Sequence, residues 1–218
     1  MTTRTWNWKR TGSGIFAGAA AALLIGASVG TALAAAAPTW TVKPGGVAVA
    51  TSGKTILKDL KTHTVLQCAS SSTKETLKKG AHLAGANIGA ISTVKFTKCT
   101  GPFGLVLGVK PAHLPWHLNA VSYNKKTGTT TGSITGVHAT ISGSGCTAVV
   151  DGTGAAKNNG MVKVTYVNKT HKLTVLPTGG NLHVYNVSAG CLGLVNSKDP
   201  SSFTAVYVVK PGQTITSP

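Results

Sequence analysis

Residues 161–187 decide the fold and read, in succession, MVKVTYV, NKTH, KLTVL, PTGGN and LHVYNV. Apolar and polar side chains alternate in MVKVTYV, KLTVL and LHVYNV, as at Val162, Val164 and Tyr166. A period of two is typical of strands that bury one face. The stretch therefore predicts three strands joined by short turns, which we interpret as a three-stranded meander.

The rest of the chain repeats this pattern of short apolar runs and turns. In all, about eleven strands at the spacing of all-β domains are predicted. The residues from Ser72 to Glu75 resemble a capping box, so a single helix reaching Leu83 is expected there, with a Gly-rich loop as the alternative. The predicted fold is all-β, an antiparallel β-sandwich that follows an N-terminal signal helix. A closed or partly open β-barrel is the alternative.

The N-terminal segment has the features of an export signal. Basic residues precede an apolar run over residues 15–33, which is followed by small residues as far as Ala36. This order predicts a secretory signal peptide over residues 1–36, with an uncleaved membrane anchor as the alternative. We expect residues 37–218 to form a single disulfide-stapled β domain that is secreted, either extracellular or associated with the cell wall.

The chain without its signal is strongly basic. It contains 18 lysines, no arginine and four acids, so its net charge is 18 − 4, or +14. Such a charge favours anionic partners, and an anionic wall polymer or an anionic lipid surface is expected. Sequence-specific nucleic-acid binding is not expected, because arginine is the residue that reads guanine bidentately. The alternative is that the lysines only keep a β protein soluble and protect its strand edges.

Four cysteines lie in the exported part of the chain: Cys68, Cys99, Cys146 and Cys191. An exported domain with an even number of cysteines is expected to form disulfides, and four cysteines allow three pairings. We favour Cys68–Cys99 and Cys146–Cys191, because each pair brackets one block of the chain and neither loop threads the other. The second pair would tie together the two ends of the meander.

Residues for catalysis are scarce. The chain has seven histidines but neither a His-x-His pair nor an H-E-x-x-H or G-x-S-x-G motif. Asp59, Glu75 and Asp199 lie in polar, lysine-flanked stretches that are expected to be turns, whereas Asp151 follows an apolar run. The sequence therefore predicts no catalytic residue, no metal site and no cofactor. If a triad exists, His138 and Asp151 are its best candidates.

Trp116, His117 and Asn119 form the one cluster in which an aromatic ring and polar groups converge, so they are a candidate ligand-binding cluster. The alternative is that Trp116 is a core residue held in place by the neighbouring Pro115.

Four phrases of the sequence carry a family resemblance: WTVKPGG at 40–46, LPWHLN at 114–119, GNLHVY at 180–185 and QTITS at 213–217. With them the chain resembles small secreted β proteins of unassigned function from streptomycete-type actinobacteria. The resemblance spans nearly the whole predicted domain. It implies an exported protein of a high-GC Gram-positive bacterium and carries over no catalytic residue.

Three functions follow as hypotheses. The sequence favours a secreted basic non-enzymatic domain that associates with anionic cell-envelope or extracellular polymers. One alternative is a carrier that encloses a small apolar ligand. The other is a secreted hydrolase, which needs a carboxylate within hydrogen-bonding distance of a histidine beside an open cleft.

Overall fold

Sixteen strands make up most of the computed structural model, which describes residues 38–218. The predicted signal peptide and signal helix, residues 1–36, lie outside the described residues. Within residues 38–218, no helix has the length and apolar character needed to cross a membrane. In chain order the strands are β1 Thr39–Lys43, β2 Gly46–Ser52, β3 Thr55–Asp59, β4 Val65–Leu77, β5 Gly80–Ala84, β6 Gly89–Thr100, β7 Val106–Pro111, β8 Trp116–Asn124, β9 Thr129–Val137, β10 Ala139–Gly143, β11 Cys146–Asp151, β12 Gly160–Val167, β13 Lys172–Val175, β14 His183–Tyr185, β15 Ser201–Lys210 and β16 Thr214–Thr216.

Eight of these strands form a closed antiparallel barrel. They are hydrogen-bonded in the order β6, β8, β9, β12, β13, β15, β2 and β4, and β4 pairs with β6 to close the ring. The predicted all-β antiparallel class is confirmed, and of the two predicted architectures the closed barrel is the one observed, in place of the sandwich. A sandwich and a barrel both require apolar and polar side chains to alternate along each strand, so this alternation does not distinguish them. The β4–β6 pairing does, because it closes the ring.

The helix predicted to begin at Ser72 is wrong, because this segment lies within the 13-residue strand β4. β4 is hydrogen-bonded to β3 and then β2 on one side, and to β6 on the other. Those pairings override the local preference for a helix cap. In the strand, Thr73 Oγ1 donates a hydrogen bond to Glu75 Oε2.

The three strands predicted in residues 161–187 are present, but the predicted meander is wrong. β12 and β13 form the expected hairpin, whereas β13 next pairs with β15, and β14 pairs with β11. The connection after β13 follows the edge of β12, where Leu176 N donates to Lys163 O at 2.9 Å and Asn181 N donates to Met161 O at 3.1 Å. It therefore carries the chain away from the hairpin to a different set of strands.

That second set extends from β6 in the order β7, β10, β11 and β14, while β3 pairs with both β4 and β15. The two predicted disulfides, Cys68–Cys99 and Cys146–Cys191, are present. The first joins residues that face each other in β4 and β6, so it reinforces the pairing that closes the barrel. Two disulfides are consistent with an oxidising, extracytoplasmic location.

A three-stranded sheet in the order β16, β1 and β5 lies against one end of the barrel. Asn168, which follows β12, exchanges two hydrogen bonds of 2.9 Å with the backbone of Ile215 in β16. Ile215 and Trp40 are both buried in the common core. This end of the barrel is therefore covered by the two ends of the described chain.

Candidate functional site

An apolar cavity of about 130 Å³ lies inside the barrel. An eight-stranded barrel is just wide enough to be filled by side chains or to hold one small ligand. The volume is close to the roughly 150 Å³ of an apolar cavity that stays dry and binds benzene. The barrel therefore has room for one small apolar molecule. Aliphatic side chains around the cavity include Ile91, Val94, Ile134, Val164, Val175 and Val209.

Glu75 is the acidic group in the wall of this cavity. Its side chain points inward from β4 and the residue is only 4% exposed. Thr73 Oγ1 donates to Glu75 Oε2 at 2.7 Å, and no other donor among the described residues reaches the carboxyl group. Burial raises the pKa of Glu75 from 4.5 to about 7, although the hydrogen bond from Thr73 lowers it.

Two tyrosines extend the polar part of the wall. The Tyr207 hydroxyl accepts a hydrogen bond from Ser71 Oγ at 2.8 Å. The Tyr166 hydroxyl donates to the backbone carbonyl of Gln213 at 2.8 Å and accepts from its N–H at 3.0 Å, and it also lies 3.3 Å from His171 Nδ1. Burial raises the pKa of Tyr207 to about 12, and the negative charge of Glu75 adds to the effect. The pKa of Tyr166 is raised by the same two causes.

The other three acids stabilise turns. Asp59 Oδ1 accepts from the backbone N–H groups of Lys61 and Thr62, each at 2.8 Å, in the turn after β3. Asp199 Oδ2 accepts from Asn196 N and Nδ2, both at 3.0 Å, in the turn before β15. Although burial opposes ionisation, the hydrogen bonds from Asn196 and the nearby charge of Lys61 lower the pKa of Asp199.

Asp151 and His138, the candidate triad members, form a buried pair in which Nδ1 and Oδ2 lie 2.9 Å apart. The ring of His113 packs edge-on against His138. Burial opposes the ionisation of Asp151, but the hydrogen bonds that it accepts lower its pKa. No hydroxyl or thiol of the described residues hydrogen-bonds to His138, and neither member of the pair lines the barrel cavity. The pair therefore fixes the loop between β11 and β12, whose backbone donors to Asp151 are Gly152, Asn158, Asn159 and Gly160.

The predicted ligand cluster is divided between two environments. Trp116 is buried and borders the cavity. Asn119 also borders it, but its side-chain amide donates to Thr135 Oγ1 at 3.1 Å and accepts from Asn87 N at 2.9 Å. His117 lies between them in β8 and does not contribute to the cavity wall.

Sequence reasoning missed Glu75, which it placed in a turn. Within β4, the inward-facing positions Ser71, Thr73 and Glu75 are all polar, so the strand lacks the apolar alternation that identified its neighbours. The period-two spacing was nevertheless present, since Glu75 is followed two residues later by the buried Leu77. A strand through residues 71–77 places Ser71, Thr73, Glu75 and Leu77 on one face.

The charge of the surface is positive throughout the described residues. All four acids are buried, with Asp59, Glu75, Asp151 and Asp199 each at most 4% exposed. Every lysine in residues 38–218 is exposed or half-buried. The one lysine–carboxylate ion pair of this part of the chain joins Lys61 Nζ to Asp199 at 3.5 Å. Its lysines therefore face solvent almost without compensating charge.

Three apolar residues are strongly exposed: Phe103 (94% exposed), Leu192 (85%) and Val106 (71%). The segments that carry them border the same small cavity, which is lined by both Leu105 and Leu194. Exposed apolar residues that gather at one place are typical of a contact surface.

Within residues 38–218, no three histidine, cysteine or acidic side chains are placed to hold a metal ion together. Comparison with curated proteins and with solved structures gave no match. The family model described as alkane oxidation protein activator PraA/PraB-like matches residues 13–215, which is most of the chain. The chain therefore belongs to the alkane oxidation protein activator PraA/PraB-like family.

Proposed function

We propose that the barrel binds one small hydrocarbon-type molecule in its interior. The observation that carries the proposal is the cavity of about 130 Å³ with an almost entirely aliphatic and aromatic wall. Transfer of an apolar molecule from water into such a space is favourable, at about 25 cal/mol per Å² of apolar surface buried. A ligand of about six carbon atoms matches the volume, by comparison with the cavity that binds benzene.

The family description supports a hydrocarbon as the ligand, since it refers to the activation of alkane oxidation. Alkanes dissolve poorly in water because their transfer into it is unfavourable. A protein that holds an alkane, or an early product of its oxidation, would make that molecule available in the aqueous phase. We infer that this non-enzymatic role is how the chain contributes to alkane use.

The proposal is tested by titrating residues 37–218 with n-hexane while the methyl signals of the protein are followed by NMR. Val209→Phe fills the cavity from β15, where Val209 is 6% exposed. Val206→Phe on the same strand is the matched control, because Val206 is 47% exposed. Val164→Ile fills less of the space and serves as a second variant if overpacking by phenylalanine prevents folding.

We expect n-hexane to shift interior methyl signals in the wild type and in Val206→Phe. Binding should fall at least about tenfold in Val209→Phe and less in Val164→Ile, since each added carbon removes space from the ligand. If n-hexane leaves the interior signals of the wild type unchanged, or binds Val209→Phe equally well, the proposal is wrong.

A second candidate function is association with an anionic envelope surface. It is supported by the burial of all four acids beneath an exterior that carries the lysines. The exposed apolar residues Phe103, Val106 and Leu192 favour a lipid surface over a wall polymer, because apolar side chains gain by entering the lipid boundary.

This candidate is tested with anionic phosphatidylglycerol vesicles, with neutral phosphatidylcholine vesicles and with a teichoic-acid polymer. Binding to anionic vesicles should weaken strongly between low and high salt, because salt screens exposed charges. Equal binding to neutral vesicles, or binding that salt leaves unchanged, would contradict it. Stronger binding to the polymer than to vesicles would assign the surface to the cell wall.

We also propose that the protein acts outside the cytoplasm, secreted or associated with the wall of an actinobacterial cell. The disulfides support an oxidising compartment. Cell fractionation with non-reducing peptide mapping tests this proposal. Recovery of the full-length chain from the cytoplasm with free thiols would contradict it.

A further inference from the structure

Glu75 has no structural role comparable with that of the other acids. Asp59, Asp151 and Asp199 each accept backbone hydrogen bonds that fix a turn or a loop. Glu75 lies in β4, two residues before its end, accepts a single side-chain hydrogen bond from Thr73 and is 4% exposed. A buried carboxyl group with incomplete hydrogen bonding is unfavourable, whereas leucine at this position would simply pack.

The surroundings of Glu75 define what can complete its hydrogen bonding. Lysine, arginine and histidine are all absent from the cavity lining within residues 38–218, so the carboxyl group has no cationic partner there. Glu75 Oε1 accepts no hydrogen bond from the described residues, and the hydroxyl proton of Tyr207 has no acceptor among them. The wall thus offers hydrogen-bonding capacity at one part of an otherwise apolar space.

We propose that Glu75 is the polar recognition group of the interior site, and that the site takes a short primary alcohol, with its hydroxyl group at Glu75 and its alkyl chain along the aliphatic wall. This inference rests on the proposed interior binding and specifies the ligand class. A hydroxyl group can donate to the carboxylate form of Glu75 and accept from the protonated form, so it suits either state.

Charged ligand groups fit this site poorly. A carboxylate ligand would place a second negative charge beside the ionised form of Glu75, which is unfavourable in an apolar interior. An ammonium ligand would have to leave water together with Glu75, and that desolvation offsets the attraction within the pair. The neutral hydroxyl group avoids both costs while it occupies the free oxygen.

The test compares n-hexane, 1-hexanol, hexanoate and hexylamine on the wild type and two variants of residues 37–218. Glu75→Leu removes the hydrogen-bonding group, and Glu75→Gln retains it without the charge. The quantity measured is the ratio of the affinities for 1-hexanol and n-hexane in each protein. This ratio cancels the contribution of the alkyl chain, so it isolates the hydroxyl group.

We expect the ratio to fall about tenfold or more in Glu75→Leu, because the ligand hydroxyl is then buried without a partner. In Glu75→Gln it should stay within about threefold of the wild type. An unchanged ratio in Glu75→Leu, with n-hexane still bound, would overturn the role of Glu75 and leave the interior site standing. Tighter wild-type binding of hexanoate or hexylamine than of 1-hexanol would also overturn it. If no ligand of the series, n-hexane included, binds the wild type, the proposed function itself fails.

Discussion

Replacement of Glu75 by glutamine should remove a pH-dependent loss of stability. The pKa of Glu75 rises from 4.5 to about 7 on folding because burial disfavours the charged form. Below pH 4.5 the group is neutral in both the folded and the unfolded protein, so its ionisation does not change the free energy of unfolding. As the pH rises from 4.5 to 7 the unfolded chain loses its proton first, and the folded state becomes progressively less favoured.

The size of the effect follows from the same pKa difference. At about 1.4 kcal/mol per pH unit, the change from 4.5 to about 7 corresponds to about 3 kcal/mol, which is reached near pH 7 and stays constant above it. Because Glu75 is 4% exposed, solvent screening reduces this value little. For a domain of this size the difference corresponds to roughly 6 to 12 °C in Tm.

The assay is denaturant unfolding of the wild type and of Glu75→Gln from pH 4 to pH 8, with the disulfides intact. Subtraction of the two curves removes the contributions of the other titrating groups, since only Glu75 differs. The wild type should lose about 3 kcal/mol relative to Glu75→Gln between pH 4.5 and 7. A difference that does not change with pH, or a wild type that gains stability relative to the variant over this range, would refute the reasoning.

Three further perturbations have defined outcomes. Asp151→Asn should destabilise the domain by about 3 kcal/mol or more, because the loop after β11 loses its anionic acceptor. Denaturant unfolding at pH 7 measures this loss, and a value below about 1 kcal/mol would contradict the role of Asp151. Replacement of both Cys146 and Cys191 by serine should cost about 4 kcal/mol for a sequence separation of 45, measured as the fall in the free energy of unfolding, and an unchanged value would contradict it. Phe103→Ser should weaken binding to anionic vesicles about threefold or more in a flotation assay, whereas Val206→Ser on the barrel wall should not. Equal effects of the two variants would contradict a contribution of Phe103 to vesicle binding.

The sequence predicted features that depend on local pattern or on forced pairing. β12, β13 and β14 lie where the alternation placed them, since each buries one face. The cysteine pairing followed from two consecutive blocks of chain, each bracketed by one pair. His138 and Asp151 were singled out together, and they do form a pair, although its role is to fix a loop.

The features that escaped prediction depend on partners distant in the sequence. Ring closure requires β4 to pair with β6, and the local signal at Ser72 favoured a helix. β14 joins β11 rather than β13 because the connection from Leu176 to Asn181 follows the edge of β12. Glu75 was placed in a lysine-flanked turn, and only the closed ring puts its side chain inside.

The most direct test of an interior binding site is to locate bound n-hexane by intermolecular nuclear Overhauser effects on methyl-labelled protein. The cavity predicts contacts to the interior methyl groups of Ile134, Val164 and Val209. Contacts confined to exposed groups such as Leu192 and Val206, or none at all, would contradict binding inside the barrel.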